Sequence, residues 1–127
     1  MSRTEGRTDA APSPPGPFSQ SVRIGALVAA AGQVGNTPDG EVLAGVGPQT
    51  RQALANVASV LAASGATMAD VLTMRVFLTD TAHFAEMNEV YAEAFAAPYP
   101  TRTTVYVGLP TGLLVEIDAL AVVASSS

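Results

Sequence analysis

The chain has 127 residues, the size of a single domain, and its 6 basic and 11 acidic side chains give a net charge of −5. This acidic balance argues against nucleic-acid binding, because counterion release from phosphates requires a surplus of positive side chains. Charged residues make up only 13% of the chain and hydrophobic residues 48%, so a monomer would expose much apolar surface. We therefore expect the chain to bury part of that surface in an oligomer.

Missing residue types exclude several kinds of chemistry. The chain has no Cys, which excludes disulfides, thiolate nucleophiles and zinc–cysteine sites. It also has no Lys among its six basic residues, which excludes Schiff-base lysines and Walker-type phosphate loops. A single histidine, His83, cannot build a His-rich metal site within one chain. We therefore expect no metal and no cofactor.

The two ends of the chain differ in composition from its body. Residues 1–15 are polar and rich in Pro, and we expect them to form a disordered leader rather than a signal peptide. Residues 125–127 are a short Ser tail, which leaves a single domain over residues 16–124. The longest apolar run near the start is too short to cross a membrane. These features predict a cytoplasmic protein without a membrane partner.

Hydrophobic periodicity predicts an α+β domain. The first part of the domain has the residue pattern of two strands, at 18–24 and 27–34, with a tight turn at Gly25-Ala26 between them. A helix follows at 48–64, where Pro48 suits the first turn and Gly65 the end. A strand at 71–78, a helix at 82–96 and strands at 102–108 and 113–123 complete the chain. The order ββαβαββ indicates a sandwich with two helices packed on one face of a mixed sheet.

The second predicted helix carries one polar residue on its apolar face. Phe84, Tyr91 and Phe95 recur at helical spacing and mark the face that we expect to be buried. Asn88 falls on the same face. A buried Asn must be hydrogen-bonded, either to the backbone or to a bound molecule.

Arg102 stands at the head of an otherwise apolar strand and needs an anionic partner, because an unpaired buried guanidinium is costly. The acids downstream are Glu116 and Asp118. A hairpin between the last two strands would put Glu116 opposite about Val105, several ångströms along from Arg102. The partner is then Asp118, an acid of another subunit, or a carboxylate ligand, which the fork of an Arg suits well.

Glu116 and Asp118 lie two residues apart on a strand and so share one face. Both could lie on the solvent side of an edge strand, which the spacing alone favours. Alternatively, at least one of them polarises a water molecule. A catalytic triad is a weaker hypothesis, because its base would have to be His83, which opens a helix among polar residues.

Seven short blocks of the sequence form one collinear set. They are 16–20 (GPFSQ), 31–33 (AGQ), 52–57 (QALANV), 76–80 (VFLTD), 87–91 (MNEVY), 100–103 (PTRT) and 115–121 (VEIDALA). In this order, the blocks resemble the Rid family (also called the YjgF/YER057c/UK114 family). The resemblance extends over residues 16–123 at close to family spacing, so the blocks together are far more specific than any one of them.

The resemblance implies a chorismate-mutase-like fold that assembles as a homotrimer with ligand clefts between subunits. It also implies a hydrolase of the 2-iminobutanoate/2-iminopropanoate deaminase type, which converts reactive 2-imino and enamino acids to 2-keto acids and ammonium. In that case Arg102 binds the substrate carboxylate, and Glu116 orients a water and takes its proton. The expected substrate-binding residues are Arg102, Phe18, Gly32, Gln33, Asn88 and Thr104. Around Gly32, Gln33 and Thr104, backbone groups are expected to bind the substrate or a water. For Asn88, a structural hydrogen bond is an equal alternative.

Three positions depart from the family pattern. Phe18 stands where many deaminase members have Tyr, Ala31 replaces a common Ser, and Thr104 replaces a common Cys. This loss of polar groups favours two alternatives, a non-catalytic small-carboxylate binding protein or a pathway-specific enzyme acting on a different carboxylate. Retention of Arg102 and Glu116 opposes the non-catalytic alternative. A ribonuclease activity, also ascribed to members of this family, is the least attractive because the chain is acidic.

Overall fold

The computed structural model describes residues 2–124, which form six strands and two α helices. The elements are β1 (Thr4–Gly6), β2 (Ser21–Ile24), β3 (Leu27–Val34), α1 (Val46–Ala63), β4 (Val71–Leu78), α2 (Phe84–Glu93), β5 (Thr101–Tyr106) and β6 (Val115–Val122). Single-turn 3-10 helices at Met68–Asp70 and Thr81–His83 precede β4 and α2. The predicted Ser tail, residues 125–127, lies outside the described residues.

All six strands belong to one mixed sheet in the order β1-β2-β3-β6-β4-β5. Neighbouring strands are antiparallel except β4 and β5, which run parallel. Helix α1 packs against β3 and β6, and α2 packs against α1. The predicted α+β architecture with two helices on a mixed sheet is therefore confirmed. Strands β3 and β4 occupy the residues predicted for them, because each is a short run of strand-forming residues bounded by Gly, Asp or Thr.

The core lies between the sheet and α1. Along β6 every second residue is buried, beginning with Val115 and Ile117, and these side chains meet Val57, Val60 and Leu61 of α1. Each such side chain stabilises the fold by about 1.5–3 kcal/mol when it is fully buried. The alternating residues of β6, Glu116 among them, project from the opposite face of the sheet.

The N-terminal segment corrects the expectation of a disordered leader. Thr4–Gly6 form β1, which pairs with β2. Gln20 is 3% exposed, and its side-chain amide accepts a hydrogen bond from the Thr8 N–H at 2.7 Å and donates to the carbonyls of Thr8 and Pro12. Because composition reports only the low hydrophobicity of this segment, it misses the long-range hydrogen bonds that hold it.

The last two strands do not form the expected hairpin. β6 lies between β3 and β4, and β5 pairs with the far edge of β4. Glu116 is therefore opposite Phe77 and Val34, not Val105. The physical reason is that β6 pairs with β3 along one edge and with β4 along the other. β5 therefore pairs in parallel with the remaining edge of β4, and its own outer edge is unpaired within residues 2–124.

The sheet face opposite the helices is uncovered and partly apolar. Ile24, Leu27, Val105 and Val122 are each between 38% and 51% exposed, and strand register places all four on this face. We call them the open-face residues. Among the described residues, no helix has both the length and the apolar character needed to cross a membrane.

Candidate functional site

Arg102 projects toward the helices from the edge strand β5. Its register partner on β4 is Met74, which is fully buried on the helix side of the sheet. Its guanidinium carbon lies 4.7 Å from the ring centroid of Tyr91 and 5.6 Å from that of Phe84, both on α2. Within residues 2–124, no carboxylate oxygen lies within 4 Å of the guanidinium. Arg102 therefore rests on aromatic rings, and its N–H donors are free for a ligand.

A pocket of ≈ 440 Å³ opens beside this arginine, and Asn88 and Tyr99 are among its lining residues. Asn88 is exposed, which corrects the expectation that it is buried on the apolar face of α2. The fully buried asparagine is Asn56, whose side-chain N–H donates to the carbonyls of Val34 and Asn36 at 3.2 and 2.8 Å. Asn88 is thus free to contact a ligand, and Asn56 holds the structural hydrogen bonds.

Thr104 lies on the same side of the sheet as Arg102. Its register partner is the buried Val76, and Thr104 itself is half-buried. Asn88, Tyr91 and Arg102 line the pocket, and Thr104 lies two residues from Arg102 on the same face of β5. We call Asn88, Tyr91, Arg102 and Thr104 the arginine half-site.

Glu116 lies on the other face of the sheet. The register of β3 against β6 shifts between Ala30 and Gln33, and this bulge brings Gly32 against the glutamate. A Cβ atom at Gly32 would overlap the carboxylate oxygen Oε2 of Glu116. The glycine is therefore required for the position of the carboxylate. Both residues were expected in the site from the sequence, whereas the contact between them depends on the bulge.

The environment of Glu116 favours its protonated form. Burial raises the pKa of the Glu116 carboxyl above its ordinary value, and the negative charge of Asp118 raises it further. A carboxylate whose pKa is shifted toward neutrality is better matched to taking a proton from water and returning it. This arrangement supports the hypothesis that at least one of the two acids acts on water, rather than both being simply solvated.

The carboxylate of Asp118 forms a salt bridge with Arg75. It accepts hydrogen bonds from Nε and Nη2 of Arg75, at 3.0 and 2.6 Å. Of the three partners considered for Arg102, this one is therefore ruled out. An acid of another subunit and a carboxylate ligand remain.

Phe18 lies close in the structure to the bulge that carries Gly32. It is 51% exposed and lines a pocket of ≈ 450 Å³ together with Ala31. The side chain of Gln33 is only 7% exposed and donates to the carbonyl of Ala31 at 3.3 Å, so it helps to hold the bulge. We call Phe18, Ala31, Gly32 and Glu116 the glutamate half-site.

The structure reveals two features that sequence analysis missed. The first is the stacking of Arg102 on Phe84 and Tyr91; their spacing of seven residues on one helix predicted a shared face but not the cation above it. The second is a pair of buried polar atoms, Nδ1 of the half-buried His83 and the hydroxyl oxygen of Tyr91, neither of which has a hydrogen-bond partner within residues 2–124. Across the same residues, no three His, Cys, Asp or Glu side chains cluster as metal ligands would.

Comparison with known proteins settles the family. Residues 8–123 match the sequence model of the family described as Endoribonuclease L-PSP. The chain belongs to this family, the Rid family. It is 44% identical over 117 residues to a RutC family protein of Pyrococcus horikoshii, covering 90% of this chain and 93% of that protein. The Rid resemblance of the seven blocks is thus confirmed.

Other members of the Rid family carry more specific names. A protein of Dermatophagoides farinae named 2-iminobutanoate/2-iminopropanoate deaminase is 39% identical over 119 residues, covering 91% of this chain and 93% of that protein. The crystal structure of Escherichia coli TdcF with bound serine superposes with a TM-score of 0.91 at 40% identity, covering 95% of this chain and 99% of that chain.

Proposed function

We propose that this Rid protein hydrolyses reactive 2-imino acids, and the enamino acids in equilibrium with them, to 2-keto acids and ammonium. The reaction takes place in clefts where the arginine half-site of one subunit meets the glutamate half-site of another in a homotrimer. The observation that carries the proposal is Arg102, whose guanidinium has no carboxylate partner within the described residues. A relative at 39% identity named for imine deamination supports the same reaction class.

The two half-sites support a cleft between subunits. Arg102 projects from the helix side of the sheet and Glu116 from the other side, so one chain does not bring the two side chains to the same substrate. The open-face residues offer an apolar surface for packing against another copy. Closure by rotational symmetry would then repeat the same cleft at every subunit contact.

Arg102 has the chemistry to bind and orient the substrate. Two parallel N–H donors of a guanidinium match the two oxygens of a carboxylate, and this fixes the position of the neighbouring imine carbon. Positioning of this kind supplies several kcal/mol of barrier reduction, up to about 7–11 in the best intramolecular reactions. An iminium carbon is already electrophilic, so the reaction needs no covalent nucleophile.

Glu116 has the chemistry to move the protons. Its carboxylate takes a proton from water as the water oxygen bonds to the imine carbon, which gives a carbinolamine. The protonated carboxyl then returns that proton to the nitrogen, and the C–N bond breaks as the C=O bond forms. The proton of the former hydroxyl group leaves with ammonia as ammonium, and the 2-keto acid is the second product. The raised pKa of Glu116 suits both transfers.

RNA cleavage, which the description of the family suggests, is poorly supported by this chain. Its 11 acidic residues outnumber its 6 basic residues, and a polyanion would be repelled by that surplus. The arginine half-site also holds a single cation, which suits one carboxylate better than a phosphate backbone.

The test generates imino acids in situ with an amino-acid oxidase and follows the disappearance of free imine. Wild type should accelerate the loss of imine, and Arg102→Ala should not, while both elute as the same oligomer. If neither protein accelerates the loss across several side chains, the deaminase proposal is wrong. Retained binding of 2-keto acids without turnover would then identify a carboxylate-binding protein instead.

A further inference from the structure

We propose that Tyr91 and Phe84 are positioning residues that hold the guanidinium of Arg102 in the orientation that binds a carboxylate. The inference deepens the proposed function and rests on it. The guanidinium carbon lies 4.7 Å from the Tyr91 ring centroid and 5.6 Å from the Phe84 centroid. Both distances fall within the range of attractive cation–π contacts. We call the two rings the aromatic platform.

The platform holds the cation without using its hydrogen-bond donors. A guanidinium stacked on a ring is attracted through its face, while its N–H groups point outward in the plane. A carboxylate partner from the same chain would instead occupy those N–H groups and compete with the substrate. An aromatic support therefore fixes the side chain and leaves the fork available.

A second arginine in the same protein shows the contrast. Arg75 lies over the ring of Phe77 at 5.6 Å, but its Nε and Nη2 also donate to Asp118. These N–H donors of Arg75 are therefore already used, and this arginine links β4 to β6 within the sheet. Arg102 has the aromatic contact without the acid, which is the arrangement expected of a ligand site.

The helix that carries the platform is anchored at both ends to α1. The N–H of Gly47 donates to Oε2 of Glu86 at 3.0 Å, near the start of α2. Arg51 pairs with Glu93 at 3.3 Å, at the end of α2. Two rings seven residues apart on such a helix present their faces to the same side, so α2 sets the direction of the guanidinium.

The two rings differ in how firmly they are held. Tyr91 is 4% exposed and packs against Phe95 at a centroid distance of 5.2 Å, whereas Phe84 is 39% exposed. Burial raises the pKa of the Tyr91 phenol, although the charge of Arg102 opposes this. The phenol therefore stays neutral at physiological pH, and the ring face rather than a phenolate charge supports the arginine.

The experiment measures the affinity of the intact protein for 2-oxobutanoate by calorimetry, together with KM and kcat for imine hydrolysis. Tyr91→Leu should weaken 2-oxobutanoate binding about three- to tenfold, the range that a cation–π contact supplies, and KM should rise by a similar factor. Phe84→Leu should show a smaller effect in the same direction. Tyr91→Phe, which keeps the ring, should recover most of the affinity. Phe95→Leu removes a ring that packs against Tyr91 but makes no cation–π contact with Arg102, so it should weaken binding less than Tyr91→Leu.

A double-mutant cycle separates positioning from general packing. If the platform acts through the guanidinium, Tyr91→Leu should have no further effect on binding in an Arg102→Ala background. Equal losses in both backgrounds would overturn the inference, as would equal losses for Tyr91→Phe and Tyr91→Leu. Should Tyr91→Leu fail to fold, the exposed Phe84 gives the same test, and unchanged affinity in Phe84→Leu would then overturn the inference.

The outcomes also distinguish this inference from the proposed function. Wild type that binds 2-oxobutanoate but hydrolyses no imine would refute the deaminase proposal, and the affinity series would still decide the role of the platform. Wild type that does not bind 2-oxobutanoate would overturn the platform, because a preorganised fork must bind a small carboxylate.

Discussion

Arg102 and Glu116 project from opposite faces of one sheet. The register of β5 with β4 places Arg102 beside the buried Met74, whereas alternation along β6 turns Glu116 away from the helices. Their separation has a consequence for the assembled protein. If both act on one substrate, they must come from different subunits.

Complementation between two inactive variants tests this separation. Arg102→Ala keeps Glu116, and Glu116→Gln keeps Arg102, so mixed oligomers regain intact clefts where the two variants adjoin. In a cyclic assembly with equal amounts and random mixing, each cleft receives an intact Arg102 half the time and an intact Glu116 half the time. About a quarter of the clefts should therefore be intact. The measurement is imine hydrolysis after co-expression of the two variants.

Each variant carried alone through the same purification is the control and should stay inactive. Absence of activity in verified mixed oligomers would show that both residues serve the same cleft from one subunit, or that one of them has no role.

Replacement of Arg102 by Lys tests the fork geometry. Lysine keeps the positive charge but is a point donor that cannot make two parallel hydrogen bonds. Losing one charge-assisted hydrogen bond costs about 1.5–3 kcal/mol, so kcat/KM should fall about ten- to a hundredfold in Arg102→Lys. Steady-state kinetics measures this, and wild-type values would contradict bidentate binding.

Glycine at position 32 is predicted to control the position of the Glu116 carboxylate. The Cβ of Gly32→Ala would overlap Oε2 of Glu116 and push the carboxylate aside. Because the displaced atoms are at the end of a flexible side chain, folding should survive. A misplacement of this size lowers kcat by about a hundredfold. Gly108→Ala is the matched control, since a Cβ there meets nothing within 4 Å, and comparable losses in both variants would argue against a specific role.

The pH profile of kcat/KM should report the carboxyl of Glu116. Its pKa is raised by burial and then by Asp118, and the base is active only when deprotonated. Activity should therefore fall as the pH drops through this raised pKa, at a higher pH than an ordinary Glu would give. Asp118→Asn removes the nearby negative charge and should move the acidic limb to lower pH. A limb that stays in place would show that another group titrates.

The open sheet face is predicted to be the subunit contact. A charge introduced by Leu27→Glu, at a residue that is 51% exposed in one chain, would be buried without a partner in the oligomer and should dissociate it. Light scattering coupled to size exclusion measures the mass, and hydrolysis should be lost with the oligomer. Val42→Glu, at an exposed loop position, should leave both unchanged. An intact trimer in Leu27→Glu would place the contact elsewhere.

Local pattern was enough to predict much of this protein. Short runs of strand-forming residues between turn signals predicted both ends of β3 and β4, and helical spacing placed Phe84 and Tyr91 on one face of α2. The collinear blocks identified the Rid family, and with it Arg102 and Glu116 as candidate site residues. Each of these predictions depends on residues that are close together in the chain or on short motifs, and such features are visible in the amino-acid sequence.

Tertiary structure alone decided how these parts are arranged. The neighbours of a strand depend on the packing of the whole sheet, so β6 entered its centre and β5 joined β4 in place of the predicted hairpin. The same kind of long-range contact holds the N-terminal segment, through the pairing of β1 with β2 and the hydrogen bonds of Gln20. Tertiary structure also leaves Asn88 exposed and pairs Asp118 with Arg75. The contact of Arg102 with two aromatic rings also depends on tertiary structure, because only the docking of α2 brings those ring faces beneath the guanidinium.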